Sequence, residues 1–374
     1  MPDKSAFWLR ASPIYRLVGC SFMLNPFQSA TPFVSPSLNR VRIAALPGID
    51  LPVEVEGKTG YDLLSAVALA ARIQARANEL GLPPDAPDLL RRFDGCFTEL
   101  AEPVEACTIS EEIAREYGRS LAYLLLTLKR GDPANRAARK EWDDRHWSFW
   151  AGINTVWVGG GLVSGQLGPI AVREAGRVMH DAGFPDFAVN LSPHGADLPL
   201  MGLSRLAPFG AQAMLVFDFG GTAVKRAIAE YKDNQFTQLH RLPSWSSPCE
   251  SSLSVSLELA DVAAHAERIL SIIEQTWQEA ERPLAPTIAV SLACYLQNGQ
   301  PPPSEMGCYG RLQLPGDNLQ TYLADQLSQR LGQPIYLHLY HDGSAAALAY
   351  AGCGETAVIM LGTAVGIGFP QTTY

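Results

Sequence analysis

Residues 214–222, Met-Leu-Val-Phe-Asp-Phe-Gly-Gly-Thr, bring an apolar run to an acid, two glycines and a hydroxyl. That order suits a strand that carries Asp218 to its tip and then a turn of exposed backbone N–H groups, the outline of a phosphate site. Glycine at 220 and 221 lets backbone approach an anion closely. At such a tip Asp218 would hold Mg²⁺ through water, because that ion dehydrates reluctantly. Residues 223–231 alternate as a second strand, so the turn reads as a β-hairpin and not as the strand-to-helix turn of a Walker loop. A ligand-free Gly-Gly hairpin is the plain alternative.

Two further stretches carry related chemistry. A strand at 357–361 leads into Gly362-Thr363-Ala364-Val365-Gly366-Ile367-Gly368, which repeats strand, glycine and hydroxyl. Two such hairpins facing each other would clamp a nucleotide's phosphates from both sides. A third strand, 335–340, ends at His341-Asp342 and hands over to Gly343-Ser344-Ala345-Ala346-Ala347. Asp342 can cap the helix that begins there. At a strand tip near phosphate it can also accept the proton of an attacking hydroxyl. Lys225 either reaches a phosphate or stays solvated on its hairpin strand.

The elements that must position these residues divide the chain in two. Up to about residue 150 the reading is irregular and helical: a strand at 41–46 and helices at 61–80, 108–129 with Ser110 as N-cap, and 135–150. Trp142, His146, Trp147 and Trp150 form an aromatic stripe read as core packing. From 154 strands and helices alternate, with strands at 154–158 and 187–191 and helices at 166–182 and 197–206. After Ala207-Pro208 a three-strand meander (214–219, 224–231, 236–242) precedes a helix at 259–280 and a strand at 287–296. A Pro- and Gly-rich loop spans 297–316, followed by a helix at 318–331. This β-β-β-α-β-α-β-α order describes a mixed α/β layer structure.

At 374 residues the chain is long enough for two cores. A net charge of −9 argues against a nucleic-acid partner. No apolar run reaches the length of a membrane helix. Residues 17–20 resemble a lipoprotein box, but Arg10 and Arg16 interrupt the region before it and no signal peptide is read. These features fit a cytoplasmic protein and leave room for a homodimer. The seven cysteines, at 20, 96, 107, 249, 294, 308 and 353, are scattered and odd in number, and read as isolated buried thiols with no zinc cluster.

Asp218-Phe219-Gly220-Gly221-Thr222, His341-Asp342 with its alanine run, and Gly362-Thr363 resemble three signatures of the ROK family of sugar kinases and repressors. That family belongs to the acetate and sugar kinase, heat-shock ATPase and actin superfamily, and the likeness covers residues 212–374. The family's chain normally continues well past the second glycine turn. Here the remaining pieces resemble upstream stretches: residues 154–163 look like the adenosine strand and turn, and residues 189–202 like the last strand and final helix. The resemblance therefore implies a circular permutation.

It implies an α/β, two-domain ribonuclease H-like (actin/hexokinase-type) ATPase fold with mixed sheets and an interdomain cleft. Residues 1–210 plus 356–374 would form the adenosine side, and 212–355 the side of the first phosphate turn and the base. ATP and Mg²⁺ are the implied cofactors. Phosphates would lie between Gly220-Gly221-Thr222 and Gly362-Thr363 with Lys225 in reach, and adenosine beside Gly159, Gly160 and Gly161. Asp218 would serve the metal and Asp342 would be the base. His341 stands at the substrate, where the family usually has Asn.

Departures fall on the acceptor side. The Gly-Glu-x-Gly-His stretch and the Cys-x-Cys-Gly zinc motif are missing, Ser291-Leu292-Ala293-Cys294 replaces a Pro-Gly loop, and Tyr350 stands where an acid is common. Repressor relatives carry an N-terminal helix-turn-helix, and residues 1–40 show no such pair. Two readings stay open: a kinase moving the γ-phosphate of Mg-ATP to a sugar or sugar-like hydroxyl, or a non-catalytic ATP-binding sensor or scaffold.

Overall fold

The computed structural model describes residues 25–29, 33–98, 103, 105–249, 259–305, 307–313 and 318–371. The lipoprotein-like stretch and most of residues 1–32 lie outside them. The first elements are helical: α1 (Pro26–Ser29), α2 (Gly60–Leu64), α3 (Ala66–Ala75), α4 (Leu89–Asp94), α5 (Ala106–Arg130), α6 (Pro133–Ala137) and α7 (Asp144–Gly152). Then come β1 (Thr155–Gly159), α8 (Leu167–Asp181), β2 (Ala188–Leu191) and α9 (Leu198–Leu203). The second half holds β3 (Ala213–Phe219), β4 (Ala223–Lys232), β5 (Gln235–Ser246), α10 (Leu259–Glu279), β6 (Thr287–Leu292), α11 (Leu319–Leu331) and β7 (Tyr336–His341). It ends with α12 (Asp342–Leu348), β8 (Thr356–Leu361) and β9 (Val365–Gly368).

The larger sheet runs β5-β4-β3-β6-β7. Its meander is antiparallel, and β6 and β7 join β3 in parallel. This is the ribonuclease H-like order. The smaller sheet runs β2-β1-β8-β9, with β8 and β9 antiparallel and β1 and β2 parallel to β8. Read as β9-β8-β1-β2, it repeats the pattern β4-β3-β6-β7. In this second unit the opening hairpin comes last in the chain and the later strands come first. The place that β5 holds in the larger sheet is met here by the segment around Asn39. The Asn39 side-chain amide donates to the carbonyl of Val365 (2.9 Å) and accepts from its N–H (2.8 Å).

Each unit ends in a short helix after its last strand, α9 after β2 and α12 after β7. The two helices cross in contact. A Cβ on Gly202 would lie 1.7 Å from the carbonyl oxygen of Ala345, so only glycine permits the approach. Below this crossing, Leu200, Leu203, Met214, Val216, Ala289 and Ala345 are buried together, and Leu198, Ala346, Ala347, Val358 and Met360 continue the layer onto the smaller sheet.

Boundaries in the helical half differ from those the sequence suggests. The helix expected at 61–80 is two, α2 and α3, because Ser65 is extended and its side chain accepts from Ala68 N–H. Ser110 is no N-cap: it lies inside α5, where its hydroxyl donates to the carbonyl of Ala106. The helix expected at 135–150 is interrupted, since Asp143 caps α7 through the N–H groups of Arg145 and His146. The strand expected at 41–46 contributes only an isolated bridge, Arg42 to Thr59. Trp142, Trp147, Trp150 and His146 are buried in the core, as their spacing suggests.

The cysteines also depart from the sequence reading of isolated buried thiols: Cys353 is exposed, Cys107 is half-buried, and two others are paired. Cys249 and Cys308, 59 residues apart, form a disulfide. His265 completes a three-donor group with them, its Nε2 lying 3.3 Å from Cys308 Sγ. The spacing of the cysteines gives no sign of either, because a long loop and a helix bring them together.

Candidate functional site

β3 delivers Asp218 to the sheet's tip, on the face that Met214 and Val216 bury against α9 and α12. The ladder sets its neighbours: Lys225 stands opposite on β4 and Ser291 opposite on β6. Ser291 Oγ donates to Asp218 Oδ1 and Lys225 Nζ to Oδ2, each at 2.8 Å. Lys225 Nζ also donates to the carbonyl of Ala196 at 2.8 Å, just before α9. One ammonium thus ties the acid of the first unit to backbone of the second. Ser291 was not singled out as a site residue; its signal is a hydroxyl near the end of an apolar strand, in register with the acid. Replacing Lys225 with Met leaves a buried carboxylate with one partner fewer, and should lower stability by about 1–3 kcal/mol in urea unfolding; Lys225→Arg should recover most of it.

The two glycine turns face each other. A Cβ on Gly221 would meet Thr363 at 3.7 Å. Gly220 N–H closes its turn on Ala223 O and Gly362 N–H on Ala364 O. Among the described residues, the N–H groups of Gly221, Thr222 and Thr363 enter no such bond and remain at the tips. Thr222 and Thr363 are exposed. The carbonyl of Gly220 is held from behind by the hydroxyls of Ser247 (2.8 Å) and Tyr309 (3.2 Å).

Asp342 opens α12 and lies against the second hairpin: a Cβ on Gly366 would be 3.1 Å from its Oδ1. That oxygen accepts from Gly343 N–H and lies 2.9 Å from His341 Nε2. Burial opposes ionisation of this carboxyl. His341, the Gly343 N–H and Lys225 together outweigh it, so the group is held below its ordinary value of 3.8. A carboxylate depressed in this way stabilises the fold in full above that ordinary value. The contribution is lost as pH falls through the folded value. The urea midpoints of wild type and Asp342→Asn should therefore converge as pH is taken below 3.8.

His341 is buried and stacks on Tyr295 with ring centroids 3.9 Å apart. Its Nδ1 has no hydrogen-bond partner among the described residues. Both rings line a cavity of about 260 Å³ shared with Phe33, Asn298, Tyr340 and Ser344.

Gly159 and Gly160 are buried and serve packing. Gly160 has φ +103°, and a Cβ there would lie 2.2 Å from the carbonyl of Leu361. Gly161 is the exposed member of the three. The structure therefore seats Lys225 on Asp218, sets Gly221 against Thr363 and lays Asp342 against the second hairpin. It places Gly159–Gly161 beside the end of β8, and turns His341 toward the adjoining cavity.

The donor set suits a nucleotide's phosphates, since two facing turns carry N–H groups without a backbone partner among the described residues. It fits Mg²⁺ only as a hydrated ion, because Asp218 already accepts from Ser291 and Lys225.

No family model matches the chain, and no curated protein matches it. Among solved structures, the ethanolamine utilization protein EutJ from Carboxydothermus hydrogenoformans is similar at 16% identity and a TM-score of 0.28, over 53% of this chain and 64% of that one. The Aquifex aeolicus member of the Ppx/GppA family is similar at 10% identity and a TM-score of 0.20, over 37% of this chain and 40% of that one. The chain thus spans less than two thirds of either neighbour. The fold rests on strand order and pairing.

Proposed function

We propose that the chain is an ATP-dependent phosphotransferase that moves the γ-phosphate of Mg-ATP to a hydroxyl of a sugar-like acceptor. The observation that carries this reading is the facing pair of glycine turns, with Gly221 against Thr363 and Asp342 beside the second hairpin. The N–H groups of Gly221, Thr222 and Thr363 bind and orient the phosphates. Lys225 neutralises phosphate charge from the floor of the cleft. Asp218 would hold hydrated Mg²⁺, which supplies further charge screening when bound. Gly161 borders the adenosine. Asp342 accepts the proton of the acceptor hydroxyl, and His341 orients that carboxylate through Nε2. The acceptor occupies the cavity beside Tyr295 and His341. Movement about the α9–α12 crossing brings the units together and excludes water.

In this reading the chain is a circular permutation of a two-domain sugar-kinase-like ATPase, with residues 1–210 plus 356–374 on the adenosine side and 212–355 carrying Asp218 and Asp342. A second reading, a nucleotide-binding sensor without catalysis, is favoured by the ammonium already seated on Asp218. A panel of sugars and polyols, assayed for acceptor-dependent ADP release, separates the two. Stimulation by one class supports the transferase. ATP binding with no stimulation by any acceptor supports the sensor.

A further inference from the structure

We propose that Cys249 and Cys308 form a redox-active pair, opened and closed by exchange with a dithiol, that sets the grip on the first glycine turn. Both cysteines adjoin the residues that hold this turn. Ser247, two positions before Cys249, donates its hydroxyl to the carbonyl of Gly220, and Cys249 N–H in turn donates to Ser247 Oγ at 3.1 Å. Tyr309, the residue after Cys308, donates to the same carbonyl, and the two hydroxyls lie 3.0 Å apart. A third strut, Ser247 N–H to Thr222 O, joins the same segment to the turn. The disulfide is the covalent tie between two segments that hydrogen bonds otherwise hold on one carbonyl.

The sulfurs are unequal. Cys249 is buried and Cys308 is half-buried, with His265 Nε2 3.3 Å from Cys308 Sγ. Exchange therefore starts at Cys308. A thiolate of the incoming dithiol attacks Cys308 Sγ and expels Cys249 as a thiolate, which takes up a proton. The second thiolate of the reagent attacks the mixed disulfide, closes its own S–S bond and releases Cys308, whose proton is held against His265 Nε2. Two electrons and two protons pass from the dithiol to the pair. Once opened, the segments bearing Ser247 and Tyr309 separate, and the turn loses its backing.

The test compares full-length protein oxidised with oxidised glutathione and reduced with dithiothreitol. Intact mass after alkylation should show two more alkyl groups on the reduced form. Amide exchange in residues 218–223 should be faster by about tenfold, the worth of one to two lost hydrogen bonds. The double variant Cys249→Ser/Cys308→Ser should match the reduced form. The Mg-ATP dissociation constant should rise by a similar factor; this last arm alone rests on the proposed function. If the turn responds while ATP binds neither form, the redox site stands and the nucleotide reading falls. Both cysteines alkylated in the oxidised sample would overturn the proposal, as would equal exchange in the two states. Uptake of Zn²⁺ by the reduced protein with the turn still protected would overturn it too, and make the three donors a metal site.

Discussion

Replacing Asp342 with Asn should lower kcat for acceptor-dependent ADP release by about 10²- to 10⁴-fold, the usual worth of a positioned general base. The affinity for Mg-ATP, measured by calorimetry, should change little. The substitution preserves shape and leaves the cleft floor of Asp218, Lys225 and Ser291 untouched. What it removes is the proton acceptor beside the second hairpin. The same change replaces the carboxylate oxygen that lies 2.9 Å from His341 Nε2. Loss of turnover therefore needs the control His341→Asn, which keeps the carboxylate. That control should cost less than Asp342→Asn if His341 only orients its neighbour. Turnover unchanged in Asp342→Asn would remove Asp342 from the mechanism.

The second large effect concerns stability. Gly202→Val should destabilise the protein by about 4 kcal/mol or more, beyond the usual cost of overpacking. Its Cβ would have to share space with the backbone oxygen of Ala345, and backbone, unlike the end of a long side chain, cannot swing away. The expected readout is a much lower urea midpoint, or a chain that unfolds during purification. Gly176→Ala, on α8 with open space around the position, is the control and should stabilise, by up to about 1 kcal/mol. A well-folded Gly202→Val protein would show that the α9–α12 crossing is looser than described, and would weaken the case for movement about it.

The second half of the chain was largely legible from residue order. Apolar runs at 213–219, 287–292 and 356–361 are buried along their whole length, and each is followed by a small residue, Gly220, Ala293 or Gly362, at which the strand stops. Period and punctuation agree there, so the strands could be read from residue order. The helical half was less legible. Ser65 and Asp143 stop helices by side-chain capping within otherwise helical patterns, and the apolar periodicity carries across both breaks. The support behind Gly220 was not legible at all. Ser247, Tyr309 and the two cysteines meet only because α10 and the loop after β6 return to the same place, and no local pattern records that return.

The amide of Asn39 has a further consequence. A strand at the margin of a sheet offers unpaired backbone groups to any other extended chain, and proteins that leave such a margin bare risk joining into fibres. On the smaller sheet β9 is one such margin and β2 the other. One side chain meets both the N–H and the carbonyl of Val365, so the position where a foreign strand would register first is already taken. A residue far away in the chain thereby guards a four-residue strand against self-association.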